Sequence, residues 1–505
     1  MGIDLINGIT AMLTPFHMVL ILVGVAMGLV FGSIPGLTAT MAVAICLPIT
    51  FTMEPQAGMA LLMGLYIGGV SGGLIPAILL KIPGTPSSIA TTFDGYPMAQ
   101  NGQAGKALGY GVVYSFLGGL FSIIVLILIA PPLAKVALKF GPMEYFAITI
   151  FALTLIASLS EGSLSKGMLG ALLGIALAMV GAAPIDAYPR FTFGLSQLNA
   201  GFNLLPALIG LFAISEILQT AEKKINPLSK GISVEKVEKV GYFLKQFPKS
   251  FKNWFRSSII GTAIGILPGI GGGTANIVAY ATAKNQSKDP ETYGKGNPEG
   301  LIASESANNA AIGGALVPLM ALGIPGDTVT AMLLGGLIIH GIQPGPLFFT
   351  QNTDVVYGIF AALIIANIAM VIFMLFGMKF FIKILSVPRH ILLPIIIVLC
   401  GVGAFTENNR VFDMWVLLFF GLMGYVLIKL KFPITPILLG FILGPIAEIN
   451  LRRGLMATQG DFMPFITSPI PLVIWILVIV SILFNILKNK KQKKQNVKGD
   501  VINAS

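Results

Sequence analysis

Long apolar runs separated by short polar or Pro-Gly interruptions set the plan of this chain. The runs fall at 16–31, 38–51, 57–80, 108–130, 145–159, 164–183 and 202–220, then at 355–384, 391–405, 414–428, 434–446 and 470–487. Several reach or approach the ~20 residues that carry a helix across a bilayer. They predict an all-α polytopic membrane protein with about 10–14 transmembrane or re-entrant segments. A β-barrel would show short segments of alternating polarity instead. The run 434–446 is short and contains Pro436, which predicts a re-entrant or tilted segment. Gly64, Gly68 and Gly72 form a small-residue stripe suited to close helix packing. The segment 81–106 reads as a polar connection with a turn at Asp94-Gly95-Tyr96-Pro97, and 184–199, with Asp186, Arg190 and Gln197, as a surface loop.

Composition agrees. Of 505 residues 55% are hydrophobic and 10% charged, against roughly 25% charged in soluble proteins. The net charge of +11 gathers in 222–256 and 488–498, so it does not imply a nucleic-acid partner. The first stretch holds nine Lys/Arg against three Glu and spaces Phe243, Phe247, Phe251, Trp254 and Phe255 among lysines. That pattern predicts an amphipathic helix lying on the inner leaflet of the lipid bilayer. Basic segments beside apolar spans are cytoplasmic. No Lys or Arg precedes Lys81, which favours an external N-terminus, and no signal-peptide pattern precedes the first span. Cys46 and Cys400 lie in apolar runs without ligand spacing and are expected to be core residues.

The interruptions repeat. Gly32-x-Ile-Pro-Gly36 recurs as Gly265-x-Leu-Pro-Gly269, 233 residues on. Pro76 and Ile82-Pro83-Gly84-Thr85 recur as Pro318 and Ile324-Pro325-Gly326-Asp327, 242 residues on. The difference fits an insertion within 284–299. Two repeats are expected: 1–220, a basic linker at 221–257, 258–487, and a basic tail at 488–505. An external start to the first and a cytoplasmic linker before the second make the repeats inverted. Transporters often bind substrate where discontinuous helices of such repeats meet near the bilayer midplane.

Broken helices beside buried polar groups are costly in lipid unless they line a cavity. The candidate substrate-binding residues lie at the breaks: Pro35, Gly36, Thr38 and Thr40; Gly84, Thr85, Ser87 and Ser88; Gly271, Gly272, Gly273, Thr274 and Asn276; and Gly326. Free amides at helix starts attract anions, and two opposed starts can clamp a di- or tricarboxylate. Glu305, Asn308 and Asn309 fall on one helix face at i, i+3 and i+4. Asn308 and Asn309 can hold a substrate carboxylate, or the face can serve a cation or a proton. The candidate coupling-ion residues are Ser304, Glu305, Asn308, Asp327 and Thr328, a possible Na+ site, with no other cofactor. Interhelical hydrogen bonding is the plain alternative for this face. Asp327 is expected to cap the next helix at Thr328, with ion binding second. His340 reads as structural or interfacial. Gly69-Val70-Ser71-Gly72 resembles a serine-hydrolase word, but His17, His340 and His390 carry no supporting motif, and no P-loop or zinc motif is present.

At these residues the chain resembles the large membrane subunit of tripartite tricarboxylate transporters, the TctA family. The resemblance rests on 35–40 (PGLTAT), 82–88 (IPGTPSS) with Asp94-Gly95-Tyr96-Pro97, 305–310 (ESANNA), 322–326 (LGIPG) and His340-Gly341-x-x-Pro344-Gly345-Pro346. It covers nearly the whole chain. It implies a multi-pass secondary transporter of the bacterial inner membrane, driven by Na+ or H+ and importing citrate or a related carboxylate. It implies two partners, a periplasmic solute-binding protein and a small membrane subunit of about four helices. Asp327 stands where the resemblance implies a small residue such as Ser. The alternatives are a stand-alone Na+/carboxylate symporter and, remotely, an intramembrane serine hydrolase.

Overall fold

The computed structural model describes residues 2–159, 164–222, 238, 240–384 and 389–483. Among these the fold is all-α, apart from a two-residue antiparallel pair, Gly181–Ala182 with Pro189–Arg190. Among the described residues seven helices are long and apolar enough to cross a membrane: Pro15–Ser33, Pro55–Leu80, Thr91–Ala137, Leu204–Glu222, Thr353–Ile384, Val411–Lys429 and Ile434–Ala457. Shorter apolar helices include Ala39–Thr50, Leu164–Ala178 and Thr328–Ile339. This is a multi-pass membrane protein.

The chain packs as two compact units. One holds Met1–Leu138 and Asn203–Tyr425; the other holds Lys139–Phe202 and Val426–Ser505. Each draws on both halves of the chain, so compact packing does not follow the boundaries expected near 220 and 258. The helix Val240–Ile266 also runs straight through 257/258. Its aromatic face is not laid on a surface throughout. Phe243 is fully buried and packs edge-on against Tyr110, 4.9 Å between ring centroids. The linker residues 223–237 and the tail 488–505 lie outside the described residues.

In the first unit Pro298–Leu322 is the central helix, with every residue from Gly300 to Ala321 buried. Pro55–Leu80 is likewise interior. The glycine stripe acts as its spacing predicts. A Cβ on Gly64 would lie 2.6 Å from the Ile21 carbonyl oxygen, and one on Gly72 would lie 2.7 Å from that of Leu29. Backbone thus meets backbone, which only small residues permit.

The contacts around the Pro-Gly words recur at the offsets of those words. Gly28 abuts the Leu65 carbonyl and Gly261 that of Ala307; Gly32 abuts Gly69 and Gly265 abuts Ala311. Gly84 packs on Gly32 and Gly326 on Gly265. The Ile82 amide donates to the Pro76 carbonyl at 3.4 Å, and the Ile324 amide to the Pro318 carbonyl at 3.2 Å. The residue before each isoleucine, Lys81 or Gly323, is left-handed. Gly36 and Gly269 both take positive φ, 92° and 79°. Proline removes the donor that would continue the helix and glycine accepts the turn, so each word ends a helix for a local reason.

Two expectations change, while the loop 184–199 lies at the surface as expected. Asp94-Gly95-Tyr96-Pro97 is not a turn but part of the helix Thr91–Met98. The run at 434 is not short. Its helix continues to Ala457, because Pro436 lies in the first turn, where a missing amide costs nothing. The loop 184–199 is tied down in the second unit. Arg190 makes a two-pronged bond to Glu448 at 2.8 and 3.1 Å, and Arg452 bridges Asp186 and Glu448.

Candidate functional site

The chain breaks converge in the first unit. The first tip is Thr85–Ser88, between helices Leu74–Leu80 and Thr91–Met98. Thr85 opens a short turn through a capping box in which its amide donates to Ser88 Oγ, 3.3 Å. Thr85 Oγ1 and Ser87 Oγ are 3.0 Å apart. The start of the helix Gly271–Asn285 abuts this tip. A Cβ on Gly273 would lie 3.2 Å from the Pro86 carbonyl oxygen. One on Gly272 would lie 3.2 Å from Ser87 Cβ and 2.9 Å from Asn308 Oδ1. Asn308 is 1% exposed; its side chain lies near the Glu305 carboxyl, but neither amide atom comes within ordinary hydrogen-bond distance of a partner.

The second tip is Pro325–Thr328, between Pro298–Leu322 and Thr328–Ile339. Asp327 caps the latter helix. Its Oδ1 accepts from the Thr330 amide at 2.7 Å, while its own amide donates to Thr330 Oγ1 at 2.8 Å. Asp327 Oδ2 accepts from Tyr66 OH at 2.6 Å. Thr328 Oγ1 and Thr40 Oγ1 are 2.9 Å apart. The two tips are stitched to the same helix start: a Cβ on Gly271 would lie 3.2 Å from Asp327 Cβ, and the Gly269 amide donates to the Gly326 carbonyl at 2.7 Å.

Behind the tips lies a closed polar network. Glu305 is fully buried and accepts from Thr91 Oγ1 and, at 2.8 Å, from Ser115 Oγ. Asn309 Oδ1 accepts from Ser71 Oγ at 2.7 Å. Asn276 accepts from the Ala90 amide at 2.7 Å and donates to the Ser304 carbonyl at 3.2 Å. Glu305, Asn308 and Asn309 therefore share one helix face but fan out to different neighbours. Among the described residues no group of three His, Cys, Asp or Glu is placed to hold a metal ion.

Some candidates point elsewhere. Thr38 caps the helix Ala39–Thr50 and donates to Glu216 Oε2 at 3.1 Å. The Gly36 carbonyl, next to Pro35, accepts from Thr220 Oγ1 at 3.2 Å. Thr274 is exposed, because helix geometry turns it away one residue after Gly273. Ser304 Oγ donates to its own helix at Leu301. Ser71 meets an amide oxygen rather than an imidazole, and His340 is the C-cap of Thr328–Ile339. Cys46 and Cys400 are buried and free.

Three residues that bond the candidate carboxylates escaped the sequence reading. Tyr66, Thr91 and Ser115 hold the site carboxylates. Asp94 is fully buried, and its Oδ1 accepts from the amides of Gly294, Gly296 and Asn297, each at 2.8 Å, while Oδ2 accepts from Tyr280 OH at 2.9 Å. The repeat register would have found Tyr66, which precedes Asn308 by the same 242 residues that separate Thr85 from Asp327.

Residues 18–439 match the family described as "Tripartite tricarboxylate transporter TctA family". A 52.8 kDa Agrobacterium vitis protein of the TAR-I ttuC' 3' region is 36% identical over 490 residues, 97% of each chain. A second Agrobacterium vitis protein, of the TAR-II ttuC' 3' region, is 37% identical over 237 residues, 47% of this chain and 98% of that one. No solved structure matches. Together with the broken helices these matches settle the relationship: the chain belongs to the TctA family of tripartite tricarboxylate transporters.

Proposed function

We propose that the chain is the large transmembrane subunit of a binding-protein-dependent importer of carboxylates, coupled to Na+ or H+, in the bacterial inner membrane. Its partners are a periplasmic solute-binding protein and a small membrane subunit of about four helices. One observation carries the site assignment: the first tip at Ser87 and the helix start at Gly272 adjoin the buried amide of Asn308, while the second tip at Asp327 adjoins the neighbouring Gly271. A buried amide left without partners costs about 1–3 kcal/mol, which a bound polar group recovers.

The recurrence of glycine contacts, caps and left-handed turns at offsets of 233 and 242 supports two copies of one unit. We place them in inverted orientation, so that movement of the site-bearing helices alternates access. We assign the cation to Glu305, behind the first tip, and leave Asp327 and Thr328 at the second tip to the substrate.

Reconstituted uptake of labelled carboxylates tests this, with and without the binding protein, under separate Na+ and pH gradients. Uptake that needs the binding protein and one gradient is expected. Uptake independent of the binding protein supports the stand-alone symporter instead. Unchanged uptake in Asn308→Ala removes the site assignment.

A further inference from the structure

The two tips share a frame and differ in chemistry. Thr85 and Asp327 are counterparts, each opening a capping box, with Ser88 and Thr330 as the answering residues. Tyr66 and Asn308 are counterparts as well, each reaching across to the tip of the other half. Tyr66 finds Asp327 there, whereas Asn308 reaches the Ser87 tip and stays unpaired. Asp327 accepts from Tyr66 OH, the Thr330 amide and Thr330 Oγ1. The printed partners of the Asp327 carboxyl are thus hydroxyl and amide groups, and no basic side chain is among them. None of the side chains meeting at the tips is cationic.

The tips are close together. Asp327 abuts Gly271, while Ser87 and Asn308 abut Gly272, and consecutive Cα atoms are about 3.8 Å apart. The span from Asp327 to Asn308 is therefore about 10 Å or less, the length of a small organic acid. Ser87, Gly272, Gly273, Asp327 and Thr328 all keep some exposure, while Asn308 at one end of the span is buried.

We infer that the tips grip opposite ends of the substrate: one carboxylate at the first tip and a hydrogen-bond donor, hydroxyl or ammonium, at Asp327. At the first tip the amides of Gly272 and Gly273 belong to a helix start and lack intrahelical partners. Ser87 Oγ lies beside them, and rotating the Asn308 amide about χ2 brings its nitrogen to the place its oxygen occupies. At the second tip another carboxylate would bring its oxygens against those of Asp327, with no basic side chain between them. The favoured substrate is thus a carboxylic acid whose far end donates, in preference to a di- or tricarboxylate. This rests on the carboxylate-import reading and narrows it.

The test uses the full-length protein in detergent and follows ligand-induced melting shifts. The probes are 4-hydroxybutyrate, 4-aminobutyrate, succinate and tricarballylate. For the natural chain the first two should act at roughly tenfold lower concentration than the last two. Asp327→Asn keeps a side chain able to cap the helix but turns one acceptor oxygen into a donor, and should move that ratio roughly tenfold toward succinate. Asp327→Thr, which copies the first tip, should do the same and serves if the Asn variant fails to fold. Asn308→Ala should weaken all four probes by roughly tenfold or more without moving the ratio. Equal or tighter action of succinate or tricarballylate on the natural chain overturns the inference, as does a ratio unmoved in both Asp327 variants. In those cases a uniform loss in Asn308→Ala leaves the import reading standing. Failure of all four probes to shift the natural chain takes the import reading down too.

Discussion

The first tip and the second tip are built on the same backbone plan, yet one adjoins a buried amide without a bonded partner and the other carries a carboxyl bonded by neighbouring residues. Both follow a helix that ends in a left-handed residue, and both begin with a capping box. At the second tip Tyr66 and Thr330 use both oxygens of Asp327. At the first, Asn308 has no partner for either amide atom. A repeated frame therefore supplies position, while single substitutions within it decide charge and vacancy for hydrogen bonds.

The comparison breaks most severely at Asp94, which follows the first tip and has no acidic counterpart in the second half, where Gly336 holds the equivalent position. Asp94→Ala strands the amides of Gly294, Gly296 and Asn297 and should cost about 3–5 kcal/mol. Thermal unfolding in detergent measures this, and a loss below about 1 kcal/mol would show that the loop finds other partners. Next come Gly32→Val and Gly265→Val, which press a side chain on the Gly69 and Ala311 carbonyls in turn. Each should destabilise by about 3 kcal/mol; strongly unequal losses would mean that the shared frame is not shared in energy. Tyr66→Phe removes one hydrogen bond to a carboxylate and should cost about 1.5–3 kcal/mol, with the melting temperature as readout. The smallest effect belongs to Thr85→Ala, which removes a cap worth about 1 kcal/mol. A loss as large as that of Asp94→Ala would mean that the first tip is held by more than its cap.

The spans were legible because a bilayer demands contiguous apolar residues. The tips were legible because proline and glycine act on their own backbone, wherever the chain later packs. What could not be read locally was whatever depends on a distant partner. Asp94-Gly95-Tyr96-Pro97 carries turn residues, yet the amides at 294–297 and Tyr280 hold it within a helix. Tyr66 sits in an apolar helix and reads as core until Asp327 is placed beside it. Thr38 sits at a break in the sequence, and its hydroxyl donates to Glu216, 178 residues away. Similarly, lysines spaced among aromatics promised a surface helix, whereas the ring of Phe243 fills the space above Gly109.

The bond between Asp94 and Gly294 also orders events in time. Its partners stand 200 residues apart, and synthesis adds about 5–20 residues per second. For about 10–40 s after Asp94 is made, the amides that will hold it do not yet exist. Through that interval the nascent first half carries a carboxylate without its native donors. A chain halted before residue 294 keeps it so, and the second half, on arriving, completes the first.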